Sequence, residues 1–187
     1  PLMAVDGDAG AIYLLTQSEH PQELGIALCT QLNGLVDLQY AILVSHPFAS
    51  MSDLPAAYRW AQDNLPCLQM HPDPCVIDYQ AVVQAEARHS VYPDATVKQL
   101  LSAVMTLDMQ TAGQLLHRAF EQMTQGSYKA FRVALMQMLV ALDENLTLLC
   151  ARNGVEDACS SITLFGVAGM ENIQEMEEEL CSLLEGV

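Results

Sequence analysis

Basic residues are scarce in this chain. Seven Lys and Arg stand against 23 Asp and Glu, giving a net charge of −16. A surface with that field repels phosphate, so the chain is not expected to bind DNA or RNA by itself. Charged residues of either sign make up only 16% of the sequence, and apolar ones 51%. That composition gives little sign of disorder and ample material for a core. None of the six cysteines (Cys29, Cys67, Cys75, Cys150, Cys159 and Cys181) forms a Cys-x-x-Cys pair. A chain this apolar does not need disulfide staples, so reduced cytosolic thiols are the simpler reading. The N-terminus lacks a basic region followed by a long apolar run, so no signal peptide is read. No stretch reaches the ~20 unbroken apolar residues of a membrane helix. A cytoplasmic location without membrane contact is expected.

Signatures of catalysis are also missing. There is no Gly-rich phosphate loop, nucleophile elbow or metal motif. His20, His46, His71, His89 and His117 stand apart from one another, with no evident acid or nucleophile partner. Asp6 and Asp8 alternate as in a calcium loop but lack the further oxygen ligands. Cys67, His71 and Cys75 share a loop, three potential ligands where a closed zinc site needs four. Glu86 and His89 have di-iron spacing, but a di-iron bundle needs two such motifs and two more carboxylates. No enzyme activity, metal or cofactor is expected.

The first half of the chain alternates strands and helices. Leu2–Val5 and Ala11–Leu15 read as strands around the turn cluster Asp6–Gly10, which suggests a hairpin. Glu19–Gln22 opens a helix to about Leu32, with Asn33-Gly34 as its stop signal. Tyr40–Val44 is a short apolar strand, broken by Ser45-His46-Pro47-Phe48. Ser50–Asp53 supply N-cap candidates, and Pro55 fits a first helical turn. Leu54, Ala57, Tyr58 and Ala61, with Leu65 one turn on, then form an apolar stripe. Pro66 ends that helix, and Cys75–Tyr79 reads as the next strand.

After Tyr79 the period is helical. Gln80–His89 is one helix, and Val91-Tyr92-Pro93-Asp94 breaks the chain. Val97, Leu100, Leu101, Val104 and Leu107 mark a second helix. Asp108 caps a third, carrying Ala112, Leu115, Leu116, Ala119, Phe120 and Met123. Gly126-Ser127 starts a long helix with Phe131, Leu135, Met138, Leu139, Leu142 and Leu146 inward. Met105, Met109, Met123, Met136 and Met138 suggest a deformable core. Met170–Leu184 is the last helix, with Ile173, Met176, Leu180, Leu183 and Leu184 on one side and glutamates on the other.

The order of these motifs resembles a known family. The strand, the Pro-Phe turn and then Asp53-Leu-Pro-Ala-Ala-Tyr-Arg-Trp-Ala-Gln62 look like the end of a degenerate GGDEF-like domain in AraC-type (YesN-like) bacterial transcription regulators. PucR/CdaR-type regulators resemble this half equally well. The helical half matches the AraC-type order through Tyr92-Pro93, Leu100-Leu101-Ser102-Ala103, Leu107-Asp108, Leu115-Leu116, Arg132 and the Glu-rich helix from Glu171. Where the family carries Gly before Asp108, this chain carries Leu107. The cyclase signature itself is replaced by Asp-Gly-Asp-Ala-Gly.

The resemblance implies an α+β chain. Residues 1–91 would be a degenerate GGDEF-like, nucleotide-cyclase-like α/β subdomain. Residues 92–187 would be a helical subdomain leading to a DNA-binding domain that this chain lacks. Pro1 in place of Met, and the missing N-terminal half of the cyclase fold, suggest a segment of a longer protein. Its expected role is non-enzymatic: a sensor and dimerisation segment that couples an upstream signal to a helix-turn-helix domain. A homodimer is expected, with Ile173, Met176, Leu180, Leu183 and Leu184 as candidate interface and DNA bound only through the missing domain. The alternatives are a PucR/CdaR-like segment or a sensor that binds a small-molecule effector directly.

Overall fold

The computed structural model describes residues 2–6, 12–33, 40–70, 75–87, 92–153, 164, 166–170 and 172–185. The chain is α+β and divides into two compact units, Pro1–Asp63 with Asp73–Tyr79, and Asn64–Pro72 with Gln80–Val187. The first helix after the second parallel strand therefore belongs almost entirely with the helical half.

In the first unit, β1 (Leu2–Asp6) and β2 (Ile12–Thr16) pair antiparallel, Ala4 opposite Leu14. This is the expected hairpin; its turn lies outside the described residues. Helix α1 (Pro21–Leu32) begins at Pro21, where a missing amide proton costs no helical bond. Asn33 after it is right-handed, and Gly34 is not described. Strands β3 (Ala41–Val44) and β4 (Cys75–Asp78) pair in parallel, Ile42 beside Val76. Their connection contains α2 (Leu54–Asn64), as parallel pairing requires. The four strands make two separate two-stranded sheets.

Gly25 sets the packing of this unit. A Cβ there would meet Val76 Cγ1 at 3.0 Å and Val44 Cγ2 at 3.3 Å. The glycine lets α1 lie close on the β3–β4 pair. Before α2, the Ser50 hydroxyl accepts from the Ser52 amide and caps a short 3₁₀ turn. The inner face of α2 differs from the expected stripe. Ala57 is buried and Trp60 half-buried, whereas Tyr58 is 37% exposed and lies against Tyr13, ring centroids 4.7 Å apart. Spacings of three and four residues admit either face, and here the indole is the one turned in.

The helical unit contains most of α3 (Tyr79–Ala87), then α4 (Asp94–Met105), α5 (Met109–Met123), α6 (Tyr128–Asn153) and α7 (Ile173–Glu185). The expected stripes on α4, α5 and α6 are nearly all in one core. Leu100, Val104, Leu116, Phe120, Met123, Phe131, Leu135, Met138, Leu139 and Leu142 are all closed to solvent. Phe120 and Phe131 meet edge to face at 6.0 Å, a favoured aromatic geometry. The buried Thr96 hydroxyl donates to Gln122 Oε1 at 2.9 Å, so its burial leaves no unpaired donor.

Leu107 departs from its expected place in the α4 stripe. It is 52% exposed, with φ at +58°. The Asp108 amide donates to Ala103 O at 3.0 Å, and the Leu107 amide to Val104 O at 3.0 Å. This pair of bonds closes a Schellman C-cap, whose left-handed position usually takes glycine. Leu107 sits at this left-handed position under strain. Next, Asp108 caps α5 by accepting from the Thr111 amide at 3.1 Å. Bonds from Thr111 hold its carboxyl below the usual range. Ser127 caps α6 in the same way, accepting from the Ala130 amide at 3.3 Å.

Candidate functional site

The last helix was the expected contact surface. In the structure its apolar stripe is already covered. Ile173, Met176, Leu180 and Leu184 are buried and Leu183 is partly buried, all packed in the helical core, with α7 lying on α5. The cover comes from the same chain.

The surface that lacks a cover is on α6. This helix runs 26 residues, and its apolar residues are not confined to one side. Phe131, Leu135, Leu139, Leu142 and Leu146 face the core. On the opposite side Val133 (59%), Met136 (40%), Val140 (45%) and Leu148 (54%) are exposed. Their spacing of three, four and eight residues places them on one stripe. Scattered surface apolar residues are ordinary, but a row of them on a core helix marks a contact face. Among the described residues, α6 is also the one helix long and apolar enough to cross a membrane, with 39% of its most apolar window buried inside the fold. A core helix meets the same criterion.

Charge on α6 is sorted along its length. Lys129 and Arg132 lie in the first two turns, Asp143 and Glu144 in the fifth. None of the four has an ion-pair partner among the described residues. Beside the first turns is an open groove of about 390 Å³, lined by Tyr92, Ser127, Lys129, Val133 and Gln137 among others. Partial burial raises the Tyr92 phenol above its ordinary pKa, and Asp94 adds to the shift. At neutral pH the groove therefore presents a neutral hydroxyl, an ammonium and an amide.

Two histidines acquire neighbours that sequence distance hid. His117 Nδ1 lies 2.7 Å from Glu177 Oε1 on α7, and Nε2 lies 3.5 Å from Glu121. The bond to Glu177 raises its pKa, with the Glu177 and Glu121 charges adding to it. His117 is exposed and Glu177 half-buried, so the contact clips α7 to α5 at the edge of the core. In the first unit His46, just past β3, meets Tyr79, just past β4, at 5.2 Å, and Trp60 of α2 at 6.1 Å. Its Nδ1 is buried without a hydrogen-bond partner. Ligands of open parallel sheets bind beyond the carboxyl ends of the strands. Here, however, three rings pack on one another and fill that space.

Among the described residues, no three His, Cys, Asp or Glu side chains are grouped to hold a metal. Asp8, His71 and His89, from the three weighed metal motifs, lie outside those residues. Cys29, Cys150 and Cys181 are free thiols. Comparison with protein-family models, curated proteins and solved structures finds no match.

Proposed function

We propose that this chain is a non-enzymatic regulatory segment that works through helix packing and self-association. The observation that supports this reading is α6, which builds the core with one face and leaves a second apolar face open. Such a helix ties any contact made outside to the packing inside. A signal that alters the outer contact shifts the population of packings of the helical unit, and α7 carries the change toward whatever follows.

The finer form of the proposal is an AraC-type regulator segment, cytoplasmic, acting as a homodimer and binding DNA only through a helix-turn-helix domain that this chain lacks. It rests on the order of sequence motifs. The hairpin β1–β2 and the β3–α2–β4 crossover keep the strand–helix order of a degenerate GGDEF-like domain or of its PucR/CdaR-like alternative. A second reading, a sensor that binds a small effector directly, is favoured by the groove beside Tyr92 and Lys129. Its volume is at the small end of ligand sites, roughly 300–1,000 Å³.

The test is a fusion. The chain is joined ahead of a DNA-binding domain that represses a reporter only when paired. Repression is expected. A folded fusion that stays at the unpaired level would overturn the regulatory reading. Turnover of GTP, or its micromolar binding with magnesium, would overturn the non-enzymatic one.

A further inference from the structure

We propose that the open face of α6 is covered by the same face of a second copy of this chain, the two helices antiparallel. This deepens the regulatory reading, which expects a second copy without saying where it docks.

The exposed positions carry the argument. Val133 and Val140 are placed symmetrically about a point between Met136 and Gln137. Lys129 and Glu144, both exposed, are symmetric about that same point. A two-fold axis there sets Val133 of one copy on Val140 of the other, twice. It also sets Lys129 of one copy against Glu144 of the other, twice. Met136 and Gln137 meet at the axis. In an antiparallel pair, each flank of one helix lies beside the same flank of its mate. Arg132 and Asp143 share a flank by helical period, and the axis brings them within about one turn of each other. The basic start of each helix then lies along the acidic middle of the other.

A parallel pair does the reverse. It would place Lys129 on Lys129 and Glu144 on Glu144, and like charges directly opposed repel. The rest of the chain argues for the same site. At −16, two copies repel each other in general. Three of the seven basic residues, Lys129, Arg132 and Arg152, are on α6. The repulsion is therefore weakest where α6 meets α6. The row from Lys129 to Leu148 is ~30 Å long, and one helix pair buries less than the roughly 800 Å² per partner of a standard interface. A reversible dimer of micromolar affinity is expected.

Analytical ultracentrifugation of the whole chain, from ~5 to ~200 µM in low salt, tests this. A dimer is expected that weakens as salt rises. Val140→Asp should raise Kd at least about tenfold, because each substitution enters the interface twice. Lys129→Glu and Glu144→Lys should each weaken the dimer, and the chain carrying both should recover it. Recovery is specific to the antiparallel register and does not follow from a merely structural role. All three positions are exposed, and unchanged thermal melts verify the folds. A monomer at ~200 µM overturns the proposal, as do single charge reversals without effect. So does flotation with phosphatidylcholine–phosphatidylglycerol vesicles that Val140→Asp abolishes, since the face then serves lipid. A dimer indifferent to all these variants removes this face while the regulatory reading stands. A silent reporter fusion removes that reading itself.

Discussion

The two units carry similar fractions of apolar residues and bury them very differently. In the helical unit, whole stripes on α4, α5, α6 and α7 reach zero or near-zero exposure. Among the described residues of the first unit, the buried apolar side chains are Cys29, Ala57 and Ile77, while Ile12 is 70% exposed and Leu14 43%. The reason is geometric. A helix of fifteen or more residues brings four turns of one face to a neighbour. Strands of four and five residues in pairs have little face to cover and leave edges on both sides. The same difference assigns stability: the helical unit is the stable scaffold, and the first unit is expected to open first.

Core truncation separates the units most sharply. Phe120→Ala or Phe131→Ala should cost about 3–5 kcal/mol and lower the main unfolding transition. Ile77→Ala should cost about 2 kcal/mol, the low end for that change, and move only the transition of the first unit. Urea unfolding followed by far-ultraviolet circular dichroism and by the single tryptophan, Trp60, reads both. Coincident loss of both signals after Ile77→Ala would erase the distinction.

Glycine replacement sharpens it at smaller scale. A Cβ at Gly113 in α5 meets nothing within 4 Å. Gly113→Ala should therefore stabilise by about 0.5–1 kcal/mol through helix propensity. Gly25→Ala carries the same propensity gain but drives its methyl against the stiff Val76 and Val44. It should gain nothing or lose stability, and comparison of the two melts decides. Leu107→Gly, at the left-handed cap, should stabilise by about 0.5 kcal/mol, since relief of the strained φ outweighs the added chain entropy.

Much of this was legible in the sequence because helical period is local. Leu100, Leu116, Phe131 and Leu139 could be placed inward from their own neighbours, and Asp108 and Ser127 could be read as caps. The hairpin and the strands around α2 also came from local signals. What remained hidden depends on partners far along the chain. Whether β1–β2 and β3–β4 join in one layer is a matter of non-local pairing. Tyr58 and Trp60 fit the period equally well. The stripe on α7 was plain, but that α5 covers it was not. The open row on α6 escaped notice because the helix is apolar on both sides, so no single face stands out. A signal existed in the charges: Lys129 and Glu144 lie on the same side as Val133 and Val140.

The smallest expected effect is a pH dependence. In the folded chain the His117 pKa is raised above its ordinary value near 6.5, first by its bond to Glu177. The contact therefore stabilises fully below the unfolded value, and the gain is lost as pH rises through the folded one. The histidine is exposed and the effect modest. The melting temperature of the wild type minus that of His117→Ala should shrink from pH 6 to pH 8.5. A constant difference would mean that the histidine acts by packing alone.

Hydrogen exchange, resolved along the chain, tests most directly the claim that the helical unit is the scaffold. Amides of α5 and α6 around Leu116, Phe120, Leu139 and Leu142 should exchange last, through global unfolding. Those of β3, β4 and α1 should exchange orders of magnitude sooner. Equal protection of Ile42 and Leu139 would contradict the division of roles.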